Sequence, residues 1–229
     1  MKQPLVYLYL ILLTFTAFFS SCRRDNNTGT STLSNVMLVH ASPNSPDVDL
    51  YLNDLLQSGN GFTYGDASGY LQSFTGLINI RLNEKGTANV LVDKNVEFNQ
   101  NGNYSVFVID TLPDVKTLVL EDDLSEPQLG QAKVRFVHLA PDAPAVDILN
   151  MLDSSVVVSN INFKSYTSFL TLDAGVYDLG IRAIGDSVII PLPSLSVGAG
   201  KVYTAMAKGL LISSMTNTAF GVQLIQHTP

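Results

Sequence analysis

Beyond the first 22 residues, apolar residues come in short runs that alternate or stay briefly continuous, and none holds a helical repeat. Val36 to His40 is a compact apolar run, halted by a loop at Pro43 and Pro46, and Val48 to Leu52 alternates after that loop. Leu77, Ile78, Ile80 and Leu82 follow a glycine with partial period two. Val90 to Val92, Tyr104 to Ile109 and Leu118 to Leu120 complete the series, separated by Asn, Gly, Asp and Pro. Such runs between turn residues predict strands. Six to seven of them within about 90 residues predict a β-sandwich. Gly102-Asn103-Tyr104 stands at a strand start, where a tyrosine corner of an immunoglobulin-like sandwich would place its Tyr. Gly200-Lys201-Val202-Tyr203 offers a second corner or a plain core tyrosine.

The pattern is written twice. Val39-His40-Ala41-Ser42-Pro43-Asn44-Ser45-Pro46-Asp47-Val48-Asp49 returns as Val137-His138-Leu139-Ala140-Pro141-Asp142-Ala143-Pro144-Ala145-Val146-Asp147, at an offset of 98. Further on the offset is 99: Tyr64 and Tyr70 answer Phe163 and Phe169, Gly76 answers Gly175, and Tyr104 answers Tyr203. The expected organisation is therefore all-β, with two tandem immunoglobulin-like sandwiches at 35–124 and 132–229, each with its own core. The stretch Glu121 to Gly130 holds four acids and a proline and reads as exposed, with the linker proper at 125–131.

The N-terminus differs in kind. Lys2 precedes an apolar run from Leu5 to Phe19, closed by Ser20, Ser21 and the only cysteine, Cys22. A positive start, an apolar centre and small residues at the end form a secretory signal. Phe19-Ser20-Ser21-Cys22 resembles a lipobox, in which the cysteine is acylated and becomes the new N-terminus. Residues 1–21 are then a lipoprotein signal peptide and 22–34 a polar, flexible tether. The competing readings are an uncleaved membrane helix and an ordinary signal peptide with a chance cysteine. The expected location is the cell envelope, at the outer membrane, held through lipid on Cys22.

Composition narrows the chemistry. Charged residues make up only 14% and hydrophobic ones 46%, which excludes a disordered chain. The net charge of −7 argues against a nucleic-acid partner. One cysteine excludes a disulfide framework and a cysteine-based zinc site. No Gly-x-Ser-x-Gly, HExxH or P-loop motif occurs after the signal segment.

The His-Ala-Ser-Pro-x-x-Pro-x-Val-Asp string, with the later Tyr…Tyr-Leu and Gly-x-Tyr elements, resembles the DUF4397 family. That resemblance implies a secreted or surface bacterial protein, often with tandem copies behind a signal sequence, and carries no activity with it.

The repeated string supplies the candidate site residues His40, Pro43, Pro46 and Asp49, and their counterparts His138, Pro141, Pro144 and Asp147. One reading is a His/Asp metal site or a His–Asp general-base pair. The other is that His and Asp satisfy backbone groups of a tight proline loop. The second is favoured, because the motif is duplicated with the fold, lacks a third ligand, and carries Ala145 where the first copy has Asp47. No metal, cofactor or catalytic residue is expected. Asp122 and Asp123 read as solvated linker acids with a weaker Ca²⁺ alternative. His227 reads as exposed, and Tyr64, Tyr70, Phe163 and Phe169 as core packing rather than a binding stripe. The expected function is a non-enzymatic lipoprotein presenting two sandwiches for adhesion, assembly or protein interaction. The alternatives are a glycan- or substrate-binding accessory protein and, remotely, a His/Asp hydrolase.

Overall fold

The computed structural model describes residues 33–57, 59–187, 189–213 and 218–228. Cys22 and the expected signal segment at 1–21 lie outside these.

Strand β1 (Leu33–His40) shows how the fold is built. Its side chains alternate between two faces, and both are apolar: Val36 and Leu38 on one, Met37 and Val39 on the other, all buried. A strand apolar on both faces has to be covered on both. Accordingly β1 is interior to its sheet, antiparallel to β4 (Ala67–Phe74) and parallel to β7 (Asn103–Ile109), which in turn pairs with β8 (Lys116–Glu121). A second sheet runs in the order β3, β2, β5, β6, from β2 (Val48–Leu52), β3 (Leu55–Leu56), β5 (Gly76–Glu84) and β6 (Val90–Phe98). The two sheets share a core that includes Val36, Leu38, Leu50, Ile80, Phe98 and Val106. An immunoglobulin constant domain keeps its first strand at a sheet edge; here that strand is interior.

The second half repeats the plan. Strands β9 (Gln131–His138), β12 (Leu170–Asp173), β17 (Val202–Lys208) and β18 (Gly221–His227) form a sheet in the order β12, β9, β17, β18. Its β9–β17 pair is again parallel, with Arg135 opposite Thr204 where the first half sets Met37 opposite Ser105. A facing sheet holds β10 (Val146–Asn150), β11 (Val156–Ile161), β14 (Leu179–Ala183) and β15 (Ile189–Pro191). A two-stranded piece pairs β13 (Gly175–Tyr177) with β16 (Leu195–Val197). Their core includes Val134, Phe136, Ile148, Ile181 and Ala205.

A third apolar cluster joins the halves. Met37, Val39, Phe107, Ile109 and Leu120 of the first pack with Val137, Leu139, Met206 and Ile225 of the second. The sheets thus stack in four layers, and the β1 and β9 sheets are covered on both faces. Residues 32–229 form one compact unit.

One boundary and one burial differ from expectation. Leu33 and Ser34, assigned to the tether, already pair with Phe74 and Ser73. Asp122, read as a solvated acid, extends the β8 ladder by donating its N–H to the Asn103 carbonyl at 2.7 Å, and is buried. Both tyrosine corners form: Tyr104 Oη accepts the Asn99 N–H at 2.9 Å and Tyr203 Oη accepts the Gly198 N–H at 3.0 Å. A methyl group on Gly102 would lie only 2.6–2.9 Å from the Tyr104 ring, so the first corner requires glycine.

Candidate functional site

The motif histidines close loops. His40 leaves the end of β1, and its buried ring donates from Nε2 to the Pro46 carbonyl at 3.1 Å, six residues on. His138 repeats this toward Pro144 at 3.0 Å, and its Nδ1 accepts the Ala140 N–H at 3.3 Å. A carbonyl can only accept, which places the proton on Nε2 in both rings. Burial holds both imidazoles below their ordinary pKa, hence neutral. Pro43 and Pro46, like Pro141 and Pro144, shape the loop that each histidine spans.

The motif aspartates serve other turns. Asp49 Oδ2 accepts the Gly86 N–H at 2.8 Å, holding the β5–β6 hairpin. Asp147 accepts the Asn160 N–H at 3.0 Å and Arg182 Nη2 at 2.7 Å, and that guanidinium lowers its pKa. In neither half do the motif's His and Asp share a bonding partner. Among the described residues no three His, Asp or Glu side chains converge as a cation site. Tyr64 and Phe163 stand edge-on to His40 and His138 at 6.3 and 6.4 Å between ring centroids, which is packing, not an open stripe.

The other polar cluster lies between the halves. Asp122 accepts Arg135 Nη2 on Oδ1 at 2.7 Å, and accepts the Tyr70 and Ser105 hydroxyls on Oδ2, each at 2.7 Å. Tyr70 Oη also lies 2.7 Å from His227 Nδ1; His227 Nε2 lies 2.8 Å from Thr204 Oγ1; and Thr204 accepts Arg135 Nη2 at 3.1 Å. One proton assignment satisfies the whole ring. Arg135 donates to Thr204, Thr204 to His227 Nε2, His227 Nδ1–H to Tyr70, and Tyr70 to Asp122. That assignment needs a neutral His227, and burial pushes its pKa down to about 4. Burial, followed by the Asp122 carboxylate, drives the Tyr70 phenol far up. Phe169 covers the Arg135 guanidinium at 4.7 Å.

His227 is therefore not an exposed terminal histidine: it is 4% exposed, and Asp122 is 3% exposed. The four matched positions Met37/Arg135, Tyr70/Phe169, Ser105/Thr204 and Asp122/His227 carry different residues in the two halves, and all of these but Met37, which lies in the third core, make a latch. The sequence motif contains no trace of Arg135. Its one signal is a charge within the alternating run Ala132, Val134, Phe136, on the face that period two assigns to solvent. Beside the motif loops, away from the latch, Lys164 Nζ meets Asp110 at 3.1 Å, Gln223 donates to the Gly65 carbonyl at 2.8 Å, and Lys208 lies 3.9 Å over the Tyr64 ring.

Beside the latch opens a cleft of about 760 Å³. Asn101, Asn103 and Glu121 form one wall, Tyr166, Ser168 and Phe169 the other, with the Asp122–Arg135 pair between them. Tyr166 presents a ring that is 53% exposed. Asp123 and Ser125 at the rim are held by Lys133, which, with Ser125, lowers the Asp123 carboxyl to about 2.

These features define a class: a stacked β-sandwich protein whose motif histidines support loops and whose accessible polar surface is an open cleft. The chain belongs to DUF4397, a domain of unknown function, which matches residues 34–149, from β1 into β10. No curated protein sequence matches the chain. Among solved structures it is similar to CBMbc, a family 26 carbohydrate-binding module of Eubacterium rectale Amy13K in complex with maltoheptaose. The identity is 8%, over 85% of this chain and 98% of that one, with a TM-score of 0.25.

Proposed function

We propose that this is a non-enzymatic lipoprotein of the cell envelope, anchored at the outer membrane through Cys22, that adheres to neutral glycan through the cleft beside the latch. Two tandem modules of immunoglobulin-like size, about 35–124 and 132–229, are held as one body by the third core, so the cleft walls keep a fixed separation. The observation that carries the reading is the cleft itself. Its volume of about 760 Å³ suits an oligosaccharide segment. The half-exposed Tyr166 ring supplies a stacking face, and Asn101 and Ser168 supply donors and acceptors for hydroxyl groups. Glu121 and Asp123 on the same surface disfavour anionic polymers. His138 Nδ1 already accepts the Ala140 N–H and His40 Nδ1 is fully buried, which argues against a solvent-accessible general base in either module.

The test is calorimetric titration of the protein with a panel of neutral oligosaccharides. Binding should be weakened at least tenfold by Tyr166→Ala, with an unchanged melting temperature. Absence of binding across the panel, or binding indifferent to Tyr166→Ala, overturns the assignment.

A further inference from the structure

The apolar residues at one pole of the first sandwich form a surface that the cleft does not use. Leu55, Leu56, Phe74 and Leu77 are 63%, 48%, 59% and 65% exposed. Leu55 and Phe74, with Leu33 and Leu52, line a groove of about 330 Å³. The topology explains why they meet. Leu33 opens β1 opposite Phe74 at the end of β4, and Leu77 follows three residues later at the start of β5. The β2–β3 hairpin brings Leu55 opposite Leu52 at the same end. On the outer face of β5, period two sets Leu77 apart from the inward Ile78, Ile80 and Leu82.

We infer that this pole is a lipid-facing surface, seated at the bilayer interface while Cys22 carries its acyl chains. The inference rests on the anchoring reading above. What selects lipid as the occupant is where the patch lies: Leu33, which opens β1, is part of it. Ten residues separate Cys22 from Leu33, and ten residues reach at most about 35 Å. An acylated Cys22 would therefore hold these four side chains within reach of the headgroups. The charges nearby are few and mostly acidic. Asp54 is paired with Arg81 at 2.6 Å, and Glu97 sits opposite Leu77. Seating is then apolar rather than electrostatic, so it should occur on neutral lipid and persist at high salt.

The experiment uses the full acylated chain in phosphatidylcholine vesicles, with an environment-sensitive fluorophore on Leu77→Cys or Phe74→Cys. Lys85→Cys, in the turn at the far end of β5, serves as the control. Acylation of Cys22 is read separately with a clickable fatty acid. The expected result is quenching by doxyl-labelled lipid at 74 and 77 at least threefold stronger than at 85, unchanged in 1 M salt. An acylated chain with equal quenching at all three positions overturns the lipid-facing surface and leaves the anchoring intact. Protection at 77 that depends on protein concentration and not on doxyl lipid assigns the patch to a second copy and also overturns it. A chain without acyl label overturns the anchoring, and with it the choice of lipid as occupant. Unchanged melting temperatures of the labelled variants show that each is folded.

Discussion

His138 engages both ring nitrogens, whereas the Nδ1 of His40 is buried without a partner. The difference makes the two copies of one motif unequal in a measurable way. His40→Ala leaves the Pro46 carbonyl without its donor. His138→Ala does the same at Pro144 and also strands the Ala140 N–H. An unsatisfied buried group costs roughly 1–3 kcal/mol, so His138→Ala should lower stability more than His40→Ala. Chemical denaturation of the two variants checks the order, and equal losses would show that the second bond contributes nothing. A chelator should leave all three melts unchanged. The loop role of these residues was legible in the sequence, because a His and an Asp flanking two prolines suit backbone satisfaction. The separate partners of His and Asp were not, since Gly86 and Asn160 lie 37 and 13 residues away from their aspartates.

Short apolar runs locate most strands of the first half, because the buried positions of β1, β2 and β7 are mostly apolar. They miss β4, whose sequence Ala67–Phe74 carries Ser, Gly and Gln among its apolar positions. What alternation cannot tell is whether the second face of a strand meets water or another sheet. For that reason Asp122 read as linker and His227 as a solvated end. Their burial arises only when β8 and β18 are brought together by the third core. The latch follows the rule for buried pairs: removing one partner strands a charge, which costs about 3–5 kcal/mol, whereas replacing both by apolar groups is often neutral or better. Arg135→Met installs the residue that the first half already carries at Met37. Alone it should destabilise by about that amount, because the Asp122 carboxylate loses its cation. Combined with Asp122→Leu, most of the loss should be recovered. A double-mutant cycle measures the coupling, and additive losses would mean that the pair is not a unit.

At the scale of the whole molecule, the third core and the latch tie the two sandwiches into one cooperative system, and its protons tie it to pH. His227 faces Tyr70, Asp122, Arg135, Thr204 and Phe169, and its folded pKa is about 4 against an ordinary 6.5. Above pH 6.5 the ring is neutral in both the folded and the unfolded chain, and the full stability is present. As pH falls from 6.5 toward 4, the unfolded chain takes up a proton that the folded chain refuses, so stability is lost. At 1.36 kcal/mol per pKa unit the loss from this residue approaches about 3 kcal/mol at the bottom of the window. His40 and His138 are shifted in the same direction and add to the slope. Asp123, at about 2 against an ordinary 3.8, loses its contribution mainly below the window. Circular-dichroism melts from pH 7.5 to 4.5 should therefore show one transition that moves steadily to lower temperature, and His227→Gln should flatten but not abolish the trend. A melting temperature independent of pH, or an unaltered slope in His227→Gln, would show that the latch does not hold its histidine neutral.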